Sequence, residues 1–426
     1  MDHIMRRGLS VFTAMIVVSG AAACSGSSGT SGGGSVPGVT STEIIVGTHT
    51  PLTGPAAAGY SKISAATKAY FDYVNSKGGV NGRKITFKIM DDAYNPATTQ
   101  QVVRQLVLQD KVFAILSGLG TPTHTGVLDF LNTNKVPDLF VASGSLSWNQ
   151  PKKYPYTFGY NPDYTIEGKT FANYIKANLA GQKVCTFGQN DDFGADGLKG
   201  VQAVLGASGV THSETYDVTN TNVGPAIGAL KAAGCQVTIA FTVPGFTALA
   251  LGAAAQLGFR TQWMVSNVGA DYATLGGLLK NAAGPLLEGV LSTAYLPAPM
   301  DTTNPWVSLF MKLNQQYNNN TAFDGNVEYG FAVGYLFVQA LKAAGKNLTR
   351  QGIVTAVEHN GFVGPGLSAL RFSATDHSGF GGLQMGKVQS GKQQVFGPLY
   401  TTDDGSGPVT EASPMQQTPP ADGIPS

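Results

Sequence analysis

Charged side chains are scarce in this chain. Lysine, arginine, aspartate and glutamate make up 12% of its 426 residues, against about a quarter in an ordinary globular domain. The two signs nearly cancel, leaving a net charge of +1. No basic run is available to neutralise a phosphate backbone, which excludes nucleic acid as a partner. Cysteine is scarcer still, with three in all. They fall in no Cys-x-x-Cys spacing, and no HExxH segment is present, so a zinc site is unsupported and no metal or cofactor is expected. No Gly-x-Ser-x-Gly elbow stands between a strand and a helix, so the α/β-hydrolase route lacks its nucleophile. GGLQMGKV has phosphate-loop spacing up to Lys387, but Val388 stands where a magnesium ligand belongs. Beyond one short stretch near the start, no apolar run approaches the ~20 residues a spanning helix needs.

That short stretch is informative. Arg6 and Arg7 precede the apolar run Leu9 to Val18, and Ala21, Ala22 and Ala23 lead into Cys24. A basic segment, a short apolar core and small residues are the pattern of an export signal, here residues 1–23. A cysteine directly after three alanines is similar to the bacterial lipobox, whose thiol receives a diacylglycerol. Ala21 departs from the leucine usual there; the alternative is plain secretion with a leftover thiol. Two acyl chains suffice for stable attachment, so the expected location is the cell envelope, anchored by lipid on the outer face of the cytoplasmic membrane. Residues 24–42 are rich in Gly and Ser and read as a flexible linker. Residues 401–426 are polar and Pro-rich and read as a disordered tail.

Between these ends lie about 360 residues, too many for one small core and suited to two lobes. EIIVGTHT from Glu43 reads as a buried strand. Residues 58–77 follow as a helix, with Ile63, Ala66, Tyr70, Tyr73 and Val74 on one face. KITFKIM, VFAILSG and DLFVAS alternate with helices over 96–110 and 125–134. The aromatic, Pro-rich break SWNQPKKYPYTFGYNP interrupts this pattern. Strands are then expected over 183–189, 210–218, 236–242 and 262–267, separated by helices. Helices over 305–317 and 328–344 follow, with strands near Leu370–Phe372 and Met385–Val388. Repeated βα units imply parallel sheets covered by helices on both faces. The fold class is α/β, with two Rossmann-like lobes. Cys185 and Cys235, each at a predicted strand of the second lobe, are either bonded or two separately buried thiols.

In open parallel sheets ligands sit beyond the carboxyl ends of the strands. Those loops hold His49 to Pro55, Ser117 to His124 and Ala142 to Ser145 in the first lobe. In the second they hold Gln189 to Gly194, Val243 to Gly245 and Ser266 to Val268. Thr121 before Pro122 also reads as a simple helix cap. The pairs Asp91-Asp92 and Asp191-Asp192 each precede a helix and read as caps and loop acceptors rather than as catalytic acids. His49 and His124 fall in cleft-facing loops and are candidate ligand contacts, with a structural role as the alternative.

PLTGPAAAGY, NSKGGVNGRKI, DDAYNP and SGLGTPTHT, in that order, resemble the branched-chain amino-acid-type solute-binding proteins of ABC importers, also called type I periplasmic binding proteins. DDFGADGLKG, AAQLGFRTQWM and FSATDHSGF extend the resemblance over about Glu43 to Tyr400. It implies two lobes joined by a three-stranded hinge: residues 43–157 and 294–366 against 158–293 and 367–400. It also implies closure over a small solute, delivery to a membrane permease with its ATPase, and action as a monomer. Family roles fall on Thr121 and Thr123 for the ligand's carboxylate, and on Ala142, Ser143 and Ser145 for backbone and hydroxyl contacts. Phe193 is the covering aromatic, and Tyr60, with Tyr329, lines the site. Members that bind α-amino acids place a carboxylate where this chain has Asn267, with no acid until Asp271. A desolvated ammonium without its partner loses about 2–5 kcal/mol. A carboxylate- or amide-bearing solute is therefore expected, with a true branched-chain amino acid as the alternative. No enzyme activity is expected. A receptor module reporting to a membrane sensor, and a hydrolase working in the cleft, are the readings from other classes.

Overall fold

The computed structural model describes residues 35–426; the export signal and Cys24 lie outside them. The first lobe opens with β1 (Glu43–Thr50), α1 (Ala57–Ser76), β2 (Lys84–Asp91), α2 (Pro96–Arg104) and β3 (Ala114–Leu116). It continues with α3 (Thr121–Thr125), α4 (Leu128–Thr133), β4 (Asp138–Val141) and β5 (Thr157–Gly159). The second lobe follows as α5 (Tyr164–Asn178), β6 (Val184–Gln189), α6 (Asp192–Leu205), β7 (Val210–Tyr216), α7 (Gly224–Ala232), β8 (Val237–Phe241) and α8 (Pro244–Gln256). It then adds β9 (Gln262–Val265), α9 (Tyr272–Leu279), α10 (Ala283–Leu287) and β10 (Leu291–Ala294). Three helices return to the first lobe: α11 (Pro305–Tyr317), α12 (Gly325–Ala344) and α13 (Arg350–His359). The chain closes with β11 (Gly382–Gln389), β12 (Lys392–Thr401) and β13 (Thr410–Ala412).

The first sheet has the order β2-β1-β3-β4-β5 and is parallel throughout. The second has the order β13-β12-β11-β10-β9-β8-β6-β7, parallel from β7 to β10 and antiparallel from β10 outward. The architecture is thus mixed α/β, two sheets of mostly parallel strands flanked by helices. Parallel strands covered on both faces are apolar at nearly every position, and β6 and β8 are buried along their whole length. β7, at the edge, alternates instead and turns polar residues outward. Helix starts carry the expected chemistry: Asn95, Asp163, Asp191, Asn304 and Asp324 each accept from backbone N–H groups of the turn that follows. α5 and α6 cross very closely because a Cβ on Gly168 would lie 2.2 Å from the Gly197 carbonyl oxygen, and one on Gly200 2.2 Å from that of Thr165. Cys185 in β6 is bonded to Cys235, just before the neighbouring β8, with their Cα atoms 5.8 Å apart.

Several expectations need correcting. Leu370–Phe372 is no strand, only a single bridge from Leu370 to Phe380. The linker ends early: Val39 bridges to Ile44, and the Ile45 N–H donates to the Gly38 carbonyl at 2.7 Å. The tail is not disordered. Thr410–Ala412 adds a strand to β12, and the remainder crosses back to the first lobe. There the Trp306 indole N–H donates to the Gln417 carbonyl at 2.7 Å, the Tyr70 hydroxyl to that of Gly423 at 2.9 Å, and Lys342 to that of Pro425. Buried donors on the helices take main-chain acceptors from a segment with few apolar side chains of its own. To the passages after β5, β10 and α13, the tail adds another.

Candidate ligand-binding cleft

A cavity of about 1040 Å³, counting its open mouth, lies between the lobes. The first lobe contributes Tyr60 and Ile63 from α1, Tyr94 after β2, Thr121 after β3 and Ala142 after β4. The second contributes Tyr164, Phe193, Val243, Asn267 and Asp271, and the returning chain adds Tyr295, Glu328 and Tyr329. Among the described residues no lysine, arginine or histidine lines it.

Hydroxyl groups meet at one end. Thr121 Oγ1 lies 2.8 Å from Ser143 Oγ, which lies 3.2 Å from the Tyr164 hydroxyl. This cluster spans both lobes, since Tyr164 opens α5. Burial pushes the Tyr164 phenol up to about 12, so it remains a neutral donor. Thr121 is not a cap: Gly120 precedes the helix, and no side chain caps it. Gly120 has φ +103°, and a Cβ there would lie 2.4 Å from the Tyr94 ring. The Thr121 hydroxyl is therefore free to face Ser143. Phe193 sits against the Tyr164 ring, centroids 4.3 Å apart, held by the Asp191 carboxylate that accepts from its N–H at 2.9 Å.

Other candidates lie elsewhere. Thr123 donates to the Leu119 carbonyl at 2.5 Å, and Ser145 accepts from the Ser147 N–H at 3.1 Å; neither lines the cavity. Ser143 stands behind Thr121 rather than on the wall. His49 and His124 are fully buried beneath the loop and do not reach the cleft. They form a chain: Asp92 Oδ2 to His49 Nδ1 at 2.8 Å, His49 Nε2 to His124 Nδ1 at 2.9 Å, and His124 Nε2 to Asp138 Oδ2 at 2.8 Å. Three hydrogen bonds in series need three protons, one more than two neutral imidazoles carry. Burial lowers the pKa of His49, opposed by its bond to Asp92. Asp92 thus serves this chain, while Asp91 accepts from Leu52, Thr53 and Ala93 to fix the loop after β1.

Asn267 lines the cavity, but its amide is engaged. Its Nδ2 donates to Glu167 Oε1 at 2.7 Å and its backbone N–H to the same oxygen at 2.8 Å. Ser266 donates to Glu167 Oε2 at 2.6 Å. Burial raises the pKa of Glu167, and these donors oppose that rise. The expectation that Asn267 leaves the cleft without an acid for a cation is corrected: Asp271 and Glu328 both line it. Sequence reasoning missed Tyr94, Tyr164, Tyr295 and Glu328. Tyr94 lay in DDAYNP, a quoted segment; Glu328 had no signal beyond its place in the first turn of a helix.

Besides the hydroxyl cluster, other hydrogen bonds bridge the lobes around this space. The Tyr60 hydroxyl donates to the Val268 carbonyl at 2.8 Å and the Gly325 N–H to Asp271 Oδ2 at 3.1 Å. Asn326 Nδ2 donates to Thr274 Oγ1 at 3.1 Å and Gln189 Nε2 to the Tyr94 hydroxyl at 3.3 Å.

Two hinged α/β halves with a cavity at the carboxyl ends of their strands define a bilobal binding protein. The family model for periplasmic binding proteins matches residues 43–393, and the chain belongs to that family, whose members work outside the cytoplasm. Leu/Ile/Val-binding protein homolog 2 of Brucella abortus is 26% identical over 346 residues, 78% of this chain and 86% of that protein. Homolog 3 of Brucella melitensis is 24% identical, with the alignment spanning 46% of this chain and about half, 53%, of that protein. A fatty acid ABC transporter substrate-binding protein from Thermomonospora curvata superposes with a TM-score of 0.77 at 21% identity, covering 87% of this chain and 95% of that one. A branched chain amino acid ABC transporter structure from Thermus thermophilus with bound valine gives 0.75 at 20% identity, covering 85% and 97%. The structural likenesses carry the fold; the ligands named belong to those proteins.

Proposed function

We propose that this chain is the solute-binding component of an ABC importer, tethered through Cys24 and working as a monomer. It traps a small solute between its lobes and presents the closed form to a permease driven by its ATPase. The carrying observation is the hydroxyl cluster of Thr121, Ser143 and Tyr164, contributed by both lobes, whose Thr121 and Tyr164 line a cavity walled by aromatic rings. Such an arrangement suits a solute with a carboxylate or amide at one end and an apolar body. Hinge closure around a ligand is how two-lobed proteins of this kind respond. A branched-chain amino acid is a second reading, favoured by Asp271 and Glu328, which supply acids that Asn267 does not. No step of chemistry on the solute is assigned. Calorimetry against a library of amino acids, amides and aromatic acids, paired with small-angle scattering, tests the reading. One-to-one binding with compaction is expected. Binding of no member of the library, or binding without compaction, would overturn it.

A further inference from the structure

We propose that the tail is a brace across the hinge: its segment 413–417, pinned to a different lobe at each end, limits how far the cleft opens. This goes beyond the proposed function and does not depend on which solute is bound.

The family model ends at residue 393, inside β12, so the tail lies beyond the matched residues. Its near end belongs to the second lobe. There β13 pairs with residues 399–401 of β12, and Lys169 of α5 donates to the Asp403 carbonyl at 2.9 Å and the Gly405 carbonyl at 3.1 Å. Its far end belongs to the first lobe. The Tyr70 and Tyr73 hydroxyls of α1 donate to the Gly423 and Asp422 carbonyls. The Trp306 indole of α11 donates to the Gln417 carbonyl, and Lys342 of α12 to that of Pro425. Tyr70 and Trp306 are buried, and without these carbonyls their donors have no acceptor, so the far anchors resist release.

Little slack lies between the two ends. Ala412 and Gln417 are five residues apart, a reach of about 18 Å at full stretch. Midway, the Met415 N–H donates at 2.8 Å to the Leu367 carbonyl, on the passage after α13. The Gln417 side-chain oxygen accepts from the Gly364 N–H of the same passage at 2.7 Å. Pro414, Pro419 and Pro420 hold φ near about −65° and stiffen the run. Any swing of one lobe on the other moves Ala412 relative to Gln417. Such a swing must strain this span or break a bond that pins it. All of those bonds coexist here with contacts that draw the lobes together, among them Tyr60 to Val268 and Gly325 to Asp271. The brace is thus fully engaged with the lobes in contact, and it is opening that disturbs it.

The test compares three ligand-free forms: the full chain, the full chain with a flexible Gly/Ser insert between Ser413 and Pro414, and a chain ending at Ser413. An insert of about ten residues keeps every anchor and adds a coil of roughly 17 Å to the span alone. Small-angle scattering should give both altered forms a larger radius of gyration than the parent. Hydrogen exchange read by mass spectrometry follows the lobes directly. The Gly325 and Leu146 N–H groups of the first lobe donate to Asp271 and Asp196 of the second. Peptides holding these two amides should exchange faster in the form with the insert, while those from β1 and β8 keep the protection of the parent. A form with the insert that matches the parent in radius and in exchange would overturn the proposal. So would an effect of truncation that the insert does not reproduce, since the tail would then only complete the packing of the first lobe.

Discussion

Lys169 Nζ and Asp403 Oδ1 meet at 2.9 Å, the lysine side chain 1% exposed and the aspartate half exposed. The same ammonium donates to the Asp403 carbonyl at 2.9 Å and the Gly405 carbonyl at 3.1 Å. Every partner of this buried cation thus comes from the segment after β12. Removing residues 403–426 leaves the charge buried and unpaired, and should cost about 3–5 kcal/mol in urea unfolding. Lys169→Met in the truncated chain should recover part of that loss. Truncation with no change in midpoint would show that the tail does not hold the fold.

The bond from the Tyr60 hydroxyl to Val268 joins the lobes at the rim of the cavity. Tyr60→Phe keeps the ring and deletes the donor, so closure loses one hydrogen bond, about 1 kcal/mol. Solute affinity should fall roughly fivefold, while the unfolding midpoint stays close to that of the parent. Equal affinities by calorimetry would show that this contact does not contribute to closure.

Asp163 caps α5 through Oδ1, which accepts from the Ile166 N–H at 2.8 Å, while Oδ2 is buried without a partner. Burial lifts its pKa from 3.8 to about 7. Below pH 3.8 the group is protonated in both states and the fold keeps its full stability from this source. As pH rises toward 7 the unfolded chain ionises first, so that stability is lost. Asp163→Asn retains the cap oxygen and does not titrate. Its unfolding midpoint should gain on the parent steadily between pH 4 and pH 7. Parallel pH profiles for the two proteins would contradict this.

The Cys185–Cys235 bond closes a loop with a sequence separation of 50. Its replacement by a pair of alanines should cost about 2–4 kcal/mol, chiefly by freeing the unfolded chain. The parent should show a comparable drop in urea midpoint when a reductant is added, and the double variant none. Cys185 and Cys235 lie at the amino-terminal ends of β6 and β8 and do not line the cavity, so solute affinity at moderate temperature should hardly change.

The alternation of β and α was readable because buried parallel strands carry apolar runs, such as Ile44 to Val46 in β1 and Ile239 to Phe241 in β8. The hairpin of β11 and β12 was mostly hidden. Lys392–Thr401 carries glutamines and a proline on a half-exposed outer strand, where apolar periodicity is weak. The tail was misread for a related reason: its anchors are backbone carbonyls accepting from Trp306, Tyr70 and Lys342, and composition says nothing about main-chain acceptors. In the cleft, the loops after strands were legible as a set, and Tyr60, Thr121, Ala142, Phe193, Asn267 and Tyr329 do lie on its wall. Which way each side chain points was not legible. His49 and His124 sit in those loops but turn inward toward Asp92 and Asp138. Glu328 comes from a helix that returns to the first lobe only after the chain has built most of the second.

Val39 is fastened to the first strand, and Pro425 ends beside α12. Both ends of the folded body thus belong to the same half of the molecule. A sensor chip, bead or fluorescent label coupled at either terminus would grip that half alone. The opposite half would stay at liberty to swing, and the immobilised protein should report solute capture as faithfully as the free one.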